Sequence, residues 1–126
     1  MPKWEDYKKH AKERGSFAYE VYFAVSTPEN PDDIPRVMPD HLAYLQSLEA
    51  SGKLMFAGPM SDETGEEMIG VGMLVFRAGS MDEARDLAAN DPMHKEGVRS
   101  FVLRKWLINE GSLSVHFGFS TGGLAV

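Results

Sequence analysis

Only two amphipathic helical segments lie between the four strands to cover them, and that shortage constrains the fold more than any other feature. From Ser16 to Ser26 the pattern FAYEVYFAV alternates aromatic and β-branched residues and is apolar on both faces apart from Glu20. VGMLVFRAG repeats that character, and SFVLRKWLIN supplies the last strand. With Leu54–Ala57, the order becomes strand, helix, strand, strand, helix, strand. Two split β-α-β units predict an α+β ferredoxin-like sandwich, with the helices on one face of an antiparallel sheet. Those helices shield one face only, and a monomer rarely exposes an oily second face. A homodimer packed sheet to sheet is therefore expected, twofold pairing being the commonest closed solution, and a higher oligomer stays open.

The stretch PDHLAYLQSLEASGKLMFAGPM reads as the first core helix feeding directly into a strand. Pro39 suits a first turn and Asp40 can cap it. At 100° per residue His41, Leu45 and Leu48 share a face, flanked by Leu42 and Tyr44, and Gly52 is the expected left-handed stop. The strand that follows closes at Gly58-Pro59. The preceding TPENPDDIPRVMP carries four prolines and no periodicity, so it reads as a loop, and one long enough to be functional. The second helix opens at Ser80-Met81-Asp82-Glu83, a capping box, and its inward stripe Ala84, Leu87, Ala88 continues to Asp91 just before Pro92. Between the central strands, SDETGEEMIG holds four carboxylates. A solvated hairpin loop accounts for them better than metal or glycosidase chemistry.

One domain over 1–126 is expected, with a core at about 18–108. Residues 1–16 form an amphipathic helix through Trp4, Tyr7 and Ala11, ended by Gly15. The tail, 110–126, alternates Leu113, Val115, Phe117 and Phe119 and could add an edge strand or cross to a partner subunit. A formal net charge of -6 argues against a nucleic-acid partner. Zero cysteines exclude disulfides and thiolate chemistry and fit a cytoplasmic location. No apolar run is long enough for a membrane span, and the N-terminus lacks a secretory h-region. His10, His41, His94 and His116 have no metal-ligand spacing, so no metal or other cofactor is expected.

His41 and Asp91 are the informative pair, because each is polar on an apolar stripe and each is expected at a helix end. A helix N-terminus disfavours a cation, favouring a neutral His41 able to accept a proton. A helix C-terminus disfavours an anion, so Asp91 needs a donor. If Asp91 accepts from one imidazole nitrogen, the tautomer is fixed and the other nitrogen becomes a general base. A satisfied structural pair locking two helix ends explains the same residues equally well.

The strings HLAYLQSLEASGKLMFAGPM and MDEARDLAANDPMHKEGV, with the strands after them, resemble the YciI-like (YCII-related) proteins of the dimeric α+β barrel superfamily. The resemblance spans about residues 18–108. It implies a ferredoxin-like fold, dimerisation through the sheets, and a His-Asp active-site dyad falling on His41 and Asp91. Known relatives include a dehydrochlorinase acting on a chlorinated hydroxyhydroquinone, and neighbouring barrels include muconolactone isomerases. The resemblance thus implies lyase-, dehydrochlorinase- or isomerase-like proton transfer on a small, aromatic or enol-like ligand. Arg36, ahead of the dyad, would hold an anionic substrate or neutralise Asp91, while Tyr44, Phe56, Gly58, Pro59, Met60 and Met93 would line the cleft. Both chain ends are additions to the shorter members, and either could lid the cleft or cover the barrel's outer surface. The competing reading is a non-catalytic ligand-binding or accessory dimer. A haem site at His41 is a third, disfavoured by an Asp-paired imidazole.

Overall fold

A computed structural model describes all 126 residues. The contacts divide the chain into two compact units, Glu20–Trp106 and the two ends, Met1–Tyr19 with Leu107–Val126. In the larger unit the elements are β1 (Tyr19–Pro28), α2 (Ile34–Ala50), β2 (Leu54–Ser61), β3 (Met68–Phe76), α3 (Met81–Ala89), α4 (Pro92–Lys95) and β4 (Arg99–Ile108), following α1 (Trp4–Glu13) of the smaller one. The four strands form one sheet in the order β2-β3-β1-β4, the ferredoxin-like arrangement expected. β3 pairs antiparallel with both β1 and β2, in registers that set Tyr22 opposite Phe76, Ala24 opposite Leu74 and Ser26 opposite Gly72.

That register sorts the side chains. Tyr22, Ala24, Leu74, Phe76 and Leu103 point to the helices and bury with Leu48, Ala84, Leu87 and Ala88 in the main core. A second buried cluster, Val37, Met93 and Val98 with Ile34 and Met38 against it, joins the start of α2 to α4. The other sheet face carries Phe23, Phe56, Met73, Val75 and Trp106 around an open hollow of about 610 Å³. Phe56, Val102 and Trp106 are each about half exposed on that face.

The structure changes several boundaries. The expected loop before Pro39 is largely helix, since α2 begins at Ile34 and contains Pro39. Ile34, Val37, Met38, His41, Leu45 and Leu48 are spaced 3, 1, 3, 4 and 3 apart, one continuous apolar stripe. Pro35 sits in the first turn, where no backbone donor is needed, and Pro39 costs a single bond to the carbonyl four residues earlier. β2 runs through Gly58-Pro59 instead of closing there; it is an edge strand, where a missing donor is tolerated, and its register shifts between Pro59 and Ser61. The capping box is half formed: Ser80 Oγ accepts the Glu83 N–H at 3.1 Å, but the Glu83 carboxylate takes the N–H of Gly79. Gly52 is left-handed at φ +77°, as expected of a helix stop.

In the smaller unit, Ala11 of α1 packs with Ala18, Leu107 and Trp4. The tail does not extend the main sheet; His116–Phe117 (β5) and Leu124–Ala125 (β6) pair only with each other. No helix is long and apolar enough to cross a membrane.

Candidate active site

Beneath α2 lies a cavity of about 450 Å³, walled by α2, β2, β3 and the α3–α4 junction. Ile34, Met38, Leu42, Leu45, Met68, Met73 and Met93 give it an apolar lining, into which His41, Asp91, Ser26 and Arg99 bring the polar groups.

His41 and Asp91 touch. Nδ1 of His41 lies 2.8 Å from Oδ1 and 2.9 Å from Oδ2 of Asp91. A carboxylate only accepts, so Nδ1 carries the hydrogen and Nε2 presents its lone pair. Nε2 has no partner in the chain, and the imidazole lies on the cavity wall. Asp91 is 1 % exposed and also accepts the backbone N–H of Met93 at 3.0 Å. It therefore caps the one-turn α4 rather than ending α3, which stops at Ala89 with Asn90 as its cap. Two donors compensate its burial, a better situation than the bare helix C-terminus expected. The helix-end argument for His41 does not apply, because seven residues of α2 precede it. What holds the imidazole is the carboxylate.

A second polar chain adjoins the dyad. His94 Nδ1 lies 2.7 Å from the Ala88 carbonyl oxygen, to which it can only donate. Its Nε2 then accepts from the Ser26 hydroxyl at 2.8 Å, and Ser26 Oγ in turn accepts Nε–H of Arg99 at 2.8 Å. Nη2 of Arg99 donates to the carbonyls of Ser26 and Gly70 at 2.7 and 2.5 Å. Burial pushes both His94 and Arg99 below their ordinary values, with the nearby Asp91 charge opposing in each case.

The other residues expected at the site divide. Gly58, Pro59 and Met93 line the cavity. Phe56 does not; it lies on the opposite sheet face, in register with Val75. Met60 borders neither hollow. Tyr44 is turned into the core, its hydroxyl donating to the Leu87 carbonyl at 2.7 Å, and burial raises its pKa above the ordinary phenol value. Arg36 points outward, with Nη1 3.1 Å from Glu96 Oε1 and Nε 3.7 Å from Asp33, so it is spent on surface ion pairs and reaches neither Asp91 nor the cavity. The cation beside the dyad is Arg99, which the sequence did not mark. Ser26 left a faint signal, as the one aliphatic hydroxyl on the inward row Tyr22, Ala24, Ser26. No group of three or more His, Cys, Asp or Glu residues is placed to hold a metal ion.

A family model described as the YCII-related domain matches residues 21–107. The chain belongs to the YCII-related family. Relatives include an uncharacterized Bacillus subtilis protein, YjpA, 30 % identical over 70 residues, covering 56 % of this chain and 75 % of that one. An Emericella nidulans protein named derivative of benzaldehyde biosynthesis cluster protein C is 35 % identical over 81 residues, covering 58 % of this chain and 83 % of its own length. An uncharacterized Haemophilus influenzae protein is 34 % identical over 91 residues, covering 69 % and 93 %. Among solved structures, the 5-chloro-2-hydroxyhydroquinone dehydrochlorinase of Burkholderia phenoliruptrix, in complex with 2,5-dihydroxybenzoquinone, matches with a TM-score of 0.49 and 26 % identity over 68 % of this chain and 92 % of that one.

Proposed function

We propose that this YCII-related protein is a small-molecule enzyme of the acid–base type, lyase- or isomerase-like, with His41 as the proton-transferring group and Asp91 as its orienting partner. One observation carries the reading: the carboxylate engages Nδ1 at 2.8 and 2.9 Å and leaves Nε2 as the basic nitrogen on the wall of an apolar cavity. A structural pair has no need to keep one nitrogen unpartnered at a hollow large enough for a small ring compound.

The chemistry follows from that placement. Nε2 removes a proton from a carbon made acidic by a neighbouring carbonyl, and the C–H electron pair moves into the conjugated system. The proton then returns to a different carbon, an isomerisation, or a leaving group departs with its bonding pair, an elimination. His41 alternates between base and acid, and the Asp91 charge stabilises the imidazolium between the two steps. The apolar walls favour a ring-shaped ligand. The Emericella nidulans relative, whose name ties it to benzaldehyde-derivative biosynthesis, supports a small aromatic one.

The open sheet face, with Phe23, Phe56, Val75, Val102 and Trp106, is read as the seat of a second copy of the chain, giving a dimeric α+β barrel. For the chemistry, a panel of hydroxybenzaldehydes, hydroxyquinones and unsaturated lactones incubated in D2O would be followed by NMR for deuterium uptake. Wild-type protein should catalyse exchange on one class, and folded His41→Ala should not. Exchange that survives in His41→Ala refutes the assignment. Absence of exchange across the panel, with ligand binding intact in His41→Gln, would identify a binding module instead.

A further inference from the structure

Arg99 is a charged group whose setting the acid–base reading does not use. Nε and Nη2 are fixed by Ser26 and by the carbonyls of Ser26 and Gly70. Nη1 has no partner in the chain, and no carboxylate forms an ion pair with the guanidinium, although its side chain lines the apolar cavity beside His41 and Asp91. Asp91 is near enough to act on Arg99 through its field, yet both of its oxygens are occupied by His41 and one also by Met93.

Bonding two carbonyls and a hydroxyl does not require a charge, since a neutral amide could do part of that work. A partly buried cation without a counter-ion costs more than such an amide, and an arrangement of this kind is stabilised when an anion completes it. The orientation is also rigid. Ala88 fixes the tautomer of His94, His94 directs the Ser26 hydrogen away from Arg99, and Ser26 Oγ is left to receive Nε–H. A guanidinium anchored through Nε and Nη2 keeps its charge and the Nη1 hydrogens for one oxygen of an anion such as a carboxylate.

We propose that Arg99 is the anion-binding residue of this cavity and that its ligands are small aromatic or unsaturated ring acids, with the carboxylate on Nη1 and the ring against Met38 and Leu45. The inference deepens the proposed function by naming a substrate class for the same cavity. Its test needs no turnover, so the two can fail separately.

The probes are benzoate and its neutral isostere benzamide, titrated by calorimetry or by amide chemical-shift changes. Wild-type protein should bind benzoate about tenfold or more tightly than benzamide, the size of one charge-assisted hydrogen bond. Arg99→Met should erase that preference and leave benzamide binding unchanged. His41→Gln should keep it, separating anion recognition from proton transfer. Should Arg99→Met fail to fold, Arg99→Lys, which keeps the charge, is expected to retain a reduced preference. Equal affinity for the two probes in wild type, no binding of either, or a preference that survives in folded Arg99→Met overturns the assignment.

Discussion

Replacing Asp91 by asparagine would test the dyad without a substrate. The side chain is 1 % exposed and receives two hydrogen bonds, from His41 Nδ1 and from the Met93 backbone. Asparagine keeps the size and can still accept from Met93 through Oδ1, so the cap of α4 survives. Its amide nitrogen then takes the place of Oδ2, 2.9 Å from Nδ1, and because that nitrogen only donates, the tautomer with the hydrogen on Nε2 is favoured. The stability cost is the difference between a charge-assisted and a neutral hydrogen bond, about 1 kcal/mol, or roughly 4 °C in Tm for a domain of this size. Asp91→Ala, by contrast, strands both donors in a buried site and should cost about 3 kcal/mol or more. The assays are thermal melts of the three proteins and two-dimensional long-range ¹H–¹⁵N spectra of histidine-labelled samples, which report the tautomer directly. The expected result is an Nδ1–H ring at His41 in wild type, an Nε2–H ring in Asp91→Asn, and a small Tm loss. An Nε2–H ring already in wild type refutes the geometric argument. A loss in Asp91→Asn as large as in Asp91→Ala would show that the pair serves to hold the fold.

His41→Ala should lower any turnover by about 10²–10⁴-fold, the usual worth of a positioned proton-transfer group, while far-UV circular dichroism stays native. Trp106→Asp places a charge on the open apolar face and should convert a dimer to a monomer in sedimentation equilibrium; an unchanged mass would assign that face to something else. Burial holds His94 below the usual histidine range, so the unfolded chain takes up a proton near pH 6.5 that the folded chain refuses. Stability should therefore be full above about pH 6.5 and fall as the pH drops below it, and His94→Gln should flatten that decline in urea midpoints.

The legible part of this protein was the part encoded by local pattern. His41 and Asp91 could be found because each interrupts an apolar stripe of helical period, and the strand–helix order carried the topology without any distance information. Pattern failed where proline was read as a veto: Ile34, Val37 and Met38 already continue the stripe of His41, but the four prolines between Pro28 and Pro39 hid it. Ser26, His94 and Arg99 were illegible for another reason. Ser26 meets its partners 68 and 73 residues away, and those contacts depend on the sheet register and on where α4 turns. Arg36 looked like the site's cation because it is close to His41 in sequence, whereas helical geometry aims it at Glu96 and solvent. Phe56 and Gly58 stand two residues apart on β2, yet Gly58 borders the cavity while Phe56 lies on the far face, beside Val75.

β2 separates the two hollows by the thickness of one strand. Ala57, Gly58 and Pro59 border the cavity beneath α2 on one side and the open apolar face on the other. Glycine and proline at the middle of that wall put backbone, rather than a cushion of side chains, between whatever occupies each side. A second copy settling on the outer face would thus press on the surface that a ligand touches from within. Linkage makes such pressure mutual: any factor by which association tightens ligand binding is the factor by which ligand tightens association. Titrations at low and high protein concentration would then give different ligand affinities, and their ratio would measure the coupling between the two sides of a single edge strand.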